Sequence, residues 1–167
     1  MKNIELKIKL KSFKAVEKSL KILGAEKLGG LDQEDVYFNC VKGRLKTRKI
    51  NNEIFELIYY ERSDKPINKL SKYLIVPFDK KKFEQLEIVL TSSMGIKAKV
   101  YKSRMLWRFK NTRIHLDDVK GLGKFLELET VLQEISKTEG EKEYLKVFNL
   151  LKLNRFEKVK GSYCDML

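Results

Sequence analysis

The chain has 167 residues, 43% hydrophobic and 35% charged, and its 36 Lys and Arg against 23 Asp and Glu leave a net charge of +13. That length suits one domain, 1–167, with a real core, and no apolar run approaches the roughly 20 residues of a membrane span. The cationic surplus implies an anionic partner, with nucleic acid, nucleotide phosphates, polyphosphate and a plain solvated Lys-rich surface all open.

In chain order, Asn3 to Lys11 reads NIELKIKLK, alternating apolar and polar residues as a two-faced strand does. Ser12 can cap a helix over 13–23 that Gly24 ends, striped by Phe13, Val16, Leu20 and Leu23. Strand-like runs follow at 34–40, 43–50, 53–62 and 71–77. Asp79 resembles a second cap, and Phe83, Leu86, Val89 and Leu90 stripe a helix ending before Gly95. Runs at 96–110, 112–119 and 124–132 read as strands again. Tyr144, Val147, Phe148 and Leu151 stripe a third helix over 139–152, and a short tail element ends at Leu167. About eight strands and three helices predict an α+β fold with a mostly antiparallel sheet, and eight strands can close into a barrel holding one small ligand. The N-terminus lacks a signal-peptide core, and Cys40 and Cys164 stand far apart without metal-type spacing, so reduced thiols and a cytoplasmic location are expected, with no membrane partner.

The charges fall in rows. Arg44, Lys46 and Arg48 share one face of a strand, as do Lys102, Arg104 and Arg108, then Arg113, His115 and Asp117, then Glu127 and Glu129. Each row lies opposite an apolar one. Helices need sheet surface to cover their stripes, and if they cover the apolar rows from outside, the charged rows turn inward. Such a lumen must be wet, because unpaired buried charges are prohibitive. Arg and Lys rows suit phosphate oxygens, and paired carboxylates suit a hard divalent cation that bridges to phosphate. Acid and base in one lumen therefore read as a metal–polyphosphate site, and nucleic acid becomes a less suitable partner. His115, the one histidine, fits a hydrogen-bonding role in that lumen better than proton transfer. Trp107 and Tyr101 alternate with bases but fit outer-face packing better than stacking on nucleic acid. Gly121-Leu122-Gly123 joins two strands and precedes no helix, so it reads as a tight connection. Tyr163 suits a tunnel plug or a tail anchor equally.

These residues resemble the CYTH family, the triphosphate tunnel metalloenzymes, whose members include class IV adenylate cyclases, thiamine triphosphatases and inorganic triphosphatases. The family's opening Glu-x-Glu-x-Lys reads here Asn3-Ile4-Glu5-Leu6-Lys7, with the first Glu replaced. GRLKTRK at 43–49, LIYYERSD at 57–64, TRIHLDDVKGLGKFLELE at 112–129 and SYCDML at 162–167 follow in the family's order, closest to the cyclase-like branch. The resemblance implies a closed eight-stranded antiparallel β-barrel, a tunnel with helices outside, and a triphosphate held inside with Mg²⁺ or Mn²⁺. It implies Glu5, Glu127 and Glu129 as metal ligands, and Glu5, Lys7, Asp117 and Glu127 as the catalytic set. Phosphate would be gripped by Lys7, Lys9, Arg48, Lys102, Arg104 and Arg113, with Arg44 and Lys46 at the rim or lumen and Arg62 as the counterpart of the family's basic residue on the fourth strand. Asn3 adds an amide oxygen but no charge, which predicts one metal held well and a second less tightly. The implied activity is conversion of ATP to cyclic AMP and pyrophosphate; hydrolysis of inorganic, thiamine or nucleoside triphosphates is the alternative, and a non-catalytic polyphosphate or nucleic-acid binder the third. A homodimer is compatible with this branch.

Overall fold

The computed structural model describes residues 3–62 and 71–167. The elements run β1 (Asn3–Leu10), α1 (Lys14–Leu23), β2 (Glu26–Phe38), β3 (Arg44–Ile50), β4 (Ile54–Arg62), β5 (Ser71–Phe78), α2 (Lys80–Met94), β6 (Ile96–Phe109), β7 (Thr112–Val119), β8 (Gly123–Val131) and α3 (Lys137–Leu150). One eight-stranded sheet in the order β1-β8-β7-β6-β2-β3-β4-β5 carries the fold, and every pairing is antiparallel. No helix among the described residues is long and apolar enough to cross a membrane.

The helix stripes cover the sheet's apolar rows. Val16, Leu20 and Leu23 of α1 and Val147 of α3 pack with Leu6, Ile8 and Leu10 of β1, Trp107 of β6, Ile114 and Leu116 of β7, and Leu126 and Leu128 of β8. At about 25 cal/mol per Å² of apolar surface, this layer is the main hydrophobic stabilisation of that half of the sheet. On the other half, the ring of Phe83 of α2 packs tilted against Phe55 of β4, the centroids 5.0 Å apart, and Thr47 of β3 donates to Glu87 of α2. Because strand residues alternate in direction, the rows opposite these contacts all face the other way.

Three boundaries differ from the sequence reading. Strand β2 begins at Glu26, eight residues earlier than the alternation predicts; its first half is exposed and contains Gly29, whose φ of 130° accommodates a bulge against β6, so no buried row marks it. Helix α3 starts at Lys137 because Ser136 and Glu139 form a reciprocal capping box. In α1 the N-cap position is Phe13, although Ser12 Oγ still accepts the Lys14 N–H at 3.3 Å. Asp79 caps α2 as expected, accepting the Lys82 N–H at 2.9 Å.

Candidate functional site

Register brings the charged rows together. Glu5 lies opposite Glu129 and Lys7 opposite Glu127; Glu129 and Glu127 lie opposite Arg113 and His115; Arg104 faces Asp117; and Asp35 and Tyr37 of β2 face Arg48 and Lys46 of β3. Directly opposed residues share a sheet face, so these side chains converge. They line one cavity of about 530 Å³, walled by Glu5, Lys7, Lys46, Arg48, Lys102, Arg104, Arg113, Glu127 and Glu129 together with Asp35, Tyr37, Tyr60, Tyr73 and Tyr163. The strands at the two ends of the sheet order both contribute: Tyr73 of β5 donates to Glu5 of β1 at 3.3 Å.

Among the described residues, three expected side chains do not line this cavity. Lys9 is exposed, its ammonium 5.7 Å from the Phe125 ring. Arg44 sits at the tail end, donating to Asp165 at 2.8 Å. The side chain of Arg62 lies outside the described residues. Asp117 is wholly buried behind the cavity wall: Arg104 grips it at 2.6 Å through both Nε and Nη2, Tyr163 donates to it at 2.9 Å, and the Lys102 ammonium lies 3.5 Å away. Its oxygens therefore hold cations in place.

Asp35 is the residue that sequence reasoning missed. It is 2% exposed and accepts from Gln33 at 2.9 and 3.0 Å, Lys46 at 2.7 Å and Arg48 at 2.9 Å. Burial alone would raise its pKa, but Lys46, Arg48 and Lys102 outweigh burial and hold the carboxyl far below the usual carboxylate range. Two buried carboxylates, Asp35 and Asp117, thus aim four cations at the cavity. Tyr163 came from a tail whose signal was only a short Ser-Tyr segment; its ring lies 3.6 Å from the Lys7 ammonium.

The cations are crowded. Burial, then Arg48, push the Lys46 ammonium down to about 7 despite Asp35. Burial, then Arg104, bring Lys102 to about 8 despite Asp117. Burial and Arg104 also lower His115, so its imidazole is neutral at pH 7, 3.7 Å from Glu127. A lysine whose pKa is lower folded than unfolded leaves the unfolded chain binding more protons between the two values, so stability rises with pH there. Stability in urea is therefore expected to increase from pH 7 to about 9.5, below the normal lysine pKa of roughly 10.4. Tyr37 and Tyr163, whose pKa values burial raises, oppose this only above about pH 10. The rise should be smaller in Lys46→Met. A flat profile at fixed ionic strength would mean that these lysines are solvated.

Residues 1–163 match the CYTH domain. The chain belongs to the CYTH domain family. A candidate adenylate cyclase of Methanocaldococcus jannaschii is 27% identical to this CYTH chain over 99% of it and 98% of the relative. A solved protein of Pyrococcus horikoshii is 26% identical, superposes with a TM-score of 0.83 and covers 99% of both chains. A Hippeastrum protein, studied as a candidate adenylyl cyclase with a dominant triphosphatase activity, shares the fold at 17% identity and a TM-score of 0.68 over 96% of this chain and 92% of its own.

CYTH membership implies a divalent cation, and the donors here fit one. Glu5, Glu127 and Glu129 present hard oxygen ligands to one cavity. Asn3 donates its Nδ2 to Glu129, while its Oδ1 is buried with no hydrogen-bond partner, as suits a neutral cation ligand. Among the described residues no three His, Cys, Asp or Glu side chains form a ready cage. A cation would draw its remaining ligands from phosphate and water, which is how Mg²⁺ usually binds.

Proposed function

We propose that the eight strands close into a barrel whose lumen binds a triphosphate with Mg²⁺ or Mn²⁺, and that the chain converts ATP to cyclic AMP and pyrophosphate there. The observation that carries the reading is a single cavity lined by six bases from β1, β3, β6 and β7 beside three glutamates from β1 and β8: Lys7, Lys46, Arg48, Lys102, Arg104 and Arg113 with Glu5, Glu127 and Glu129. A plain anion binder has no use for those glutamates. Closure is supported by the Tyr73–Glu5 bond between the end strands and by the tail, where the Val159 N–H donates to the Lys7 carbonyl at 2.8 Å.

Arg48 and Arg104, each fixed by a buried carboxylate, would grip phosphate oxygens from two sides, with Lys46, Lys102 and Arg113 completing the neutralisation. Asn3, Glu5, Glu127 and Glu129 would hold the cation, which would supply Lewis-acid neutralisation of phosphate charge. Lys7 lies 2.9 Å from Glu127 and would keep that carboxylate ionised. In cyclisation the ribose 3′-oxygen attacks the α-phosphorus, the bond from that phosphorus to the β-phosphate oxygen breaks, pyrophosphate leaves and the hydroxyl proton passes to water. The chain contributes positioning and neutralisation of the leaving group. The cyclase reading draws on the archaeal relative at 27% identity.

Phosphorus NMR of ATP, GTP, thiamine triphosphate and tripolyphosphate with either metal tests this. Cyclic AMP and pyrophosphate are expected from ATP. Orthophosphate and ADP alone would make the chain a triphosphatase, and no turnover of any substrate would leave only a binding module.

A further inference from the structure

The tail does more at the end of the bore than a plug requires. Its Val159 N–H donates to the Lys7 carbonyl at 2.8 Å and Lys158 bridges to Ile8, so it runs along the edge of β1 that β8 does not take. Asp165 ties it down further on, accepting from Arg44 at 2.8 Å and from the Ser162 N–H at 2.8 Å, with the Lys97 ammonium 3.6 Å away. Between these anchors stands Tyr163, 4% exposed.

Ring and hydroxyl of Tyr163 both meet charged groups of the cavity. The Lys7 ammonium lies 3.6 Å from the ring centroid and 2.9 Å from Glu127 Oε1. It is held between a π face and a carboxylate, each of which attracts a cation. The Lys102 ammonium is 5.0 Å from the same ring. The hydroxyl donates to Asp117 Oδ2 at 2.9 Å, the oxygen that also accepts Arg104 Nη2 at 2.6 Å. Phe125 packs against the ring edge-on, the centroids 5.0 Å apart. Sealing a barrel end takes only hydrocarbon, and a buried hydroxyl is costly unless it is bonded. Burial, then Glu127 and Asp117, raise the Tyr163 pKa, so at neutral pH the hydroxyl keeps its proton and donates.

We propose that Tyr163 is a positioning residue for the phosphate-binding cations: its ring holds the Lys7 ammonium in place, and its hydroxyl, through Asp117, fixes the plane of the Arg104 guanidinium. This rests on the triphosphate reading above and adds a residue, supplied by the tail, that aims cations carried by β1 and β6. Among the described residues Glu127 is the one ion-pair partner of Lys7, so without the ring the ammonium collapses onto a carboxylate proposed to hold the metal. Without the hydroxyl Arg104 keeps its two bonds to Asp117, but the carboxylate loses the contact that orients it.

Calorimetric titration of tripolyphosphate with Mg²⁺ into the intact protein, Tyr163→Phe, Tyr163→Leu, Lys7→Met and the Tyr163→Leu, Lys7→Met double variant tests this. Phenylalanine keeps the ring and loses the hydroxyl, so affinity should fall about fivefold. Leucine loses both and should cost roughly 30-fold or more. In the Lys7→Met background the leucine substitution should cost only about the fivefold due to the hydroxyl, because side chains that act together are not additive. Proton NMR of the lysine ε-methylenes reads the ring contact itself. The Lys7 signal, identified by its absence in Lys7→Met, should be shifted upfield by the ring current in the intact protein and in Tyr163→Phe, and should return to the ordinary lysine position in Tyr163→Leu. An ordinary Lys7 position in the intact protein, or an equal loss from Tyr163→Leu in both backgrounds, would overturn the positioning role and leave the triphosphate site standing. Tyr163→Phe conserves volume and keeps the test open if the leucine variant does not fold: unchanged affinity there would overturn the part given to the hydroxyl. Failure of the intact protein to bind tripolyphosphate would remove both the role and the site.

Discussion

Asp35→Ala is expected to destabilise the fold by about 3–5 kcal/mol, the cost of breaking a buried ion pair from one side. The carboxylate is 2% exposed and is the counter-ion that Lys46 and Arg48 share at 2.7 and 2.9 Å. Without it two crowded cations remain beside Lys102 and Arg104 with nothing to offset their desolvation. Lys46 would shed its proton near neutral pH, so the loss should be greatest in acid. The control is Glu26→Ala, which opens the pair between Glu26 and Arg108, 2.7 Å apart with the two side chains 61% and 52% exposed; it should cost less than about 1 kcal/mol. Urea denaturation of both variants checks the contrast. An Asp35→Ala loss as small as the control's would mean that the cluster is solvated. Saturating tripolyphosphate should restore part of the lost stability, because a polyanion supplies the missing counter-charge.

The second large effect is catalytic. Glu127→Gln should lower metal-dependent turnover by on the order of 10²–10³, the scale of removing one preorganised electrostatic group. Affinity for tripolyphosphate should fall less than tenfold. Glu127 receives Lys7 at 2.9 Å and Arg104 at 3.0 Å. Burial would raise its pKa, yet Lys7, His115 and Arg104 hold it well below the usual range, so it is ionised at neutral pH. Glutamine keeps the shape and removes the charge on which a cation depends, while Lys7 and Arg104 are released toward phosphate. Turnover and binding should therefore separate. Single-turnover kinetics with Mg²⁺ and Mn²⁺, beside titration of the substrate, read the two quantities. Unchanged turnover would take Glu127 out of the reaction.

How far the sequence reaches can be traced residue by residue. Glu127 and Glu129, two apart on a strand, must share a face, and so must Arg104 with Lys102. Which way that face points was legible because Leu6, Ile8, Leu126 and Leu128 needed helices to cover them, and α1 and α3 do so. Asp35 was not legible. It sits in DVYF, where Val36, Tyr37 and Phe38 are all buried, so the strand is covered on both faces and alternation vanishes. Its role exists only through Lys46 and Arg48 on the neighbouring strand. Lys9 and Arg44 continue basic rows beyond the cavity, and a row records direction but not depth. The dual task of Asp117, gripping Arg104 while receiving Tyr163, needed the tail, which folds back from 46 residues away.

The most direct test of the ionic bore is calorimetric titration of tripolyphosphate, with Mg²⁺ present, into the intact protein and into Arg48→Ala. One molecule should bind per chain, and the variant should bind at least tenfold more weakly, as loss of a hydrogen bond to a charged group worth about 1.5–3 kcal/mol requires. No saturable binding to the intact protein, or the same affinity in both, would contradict a triphosphate site between Asp35 and Glu127.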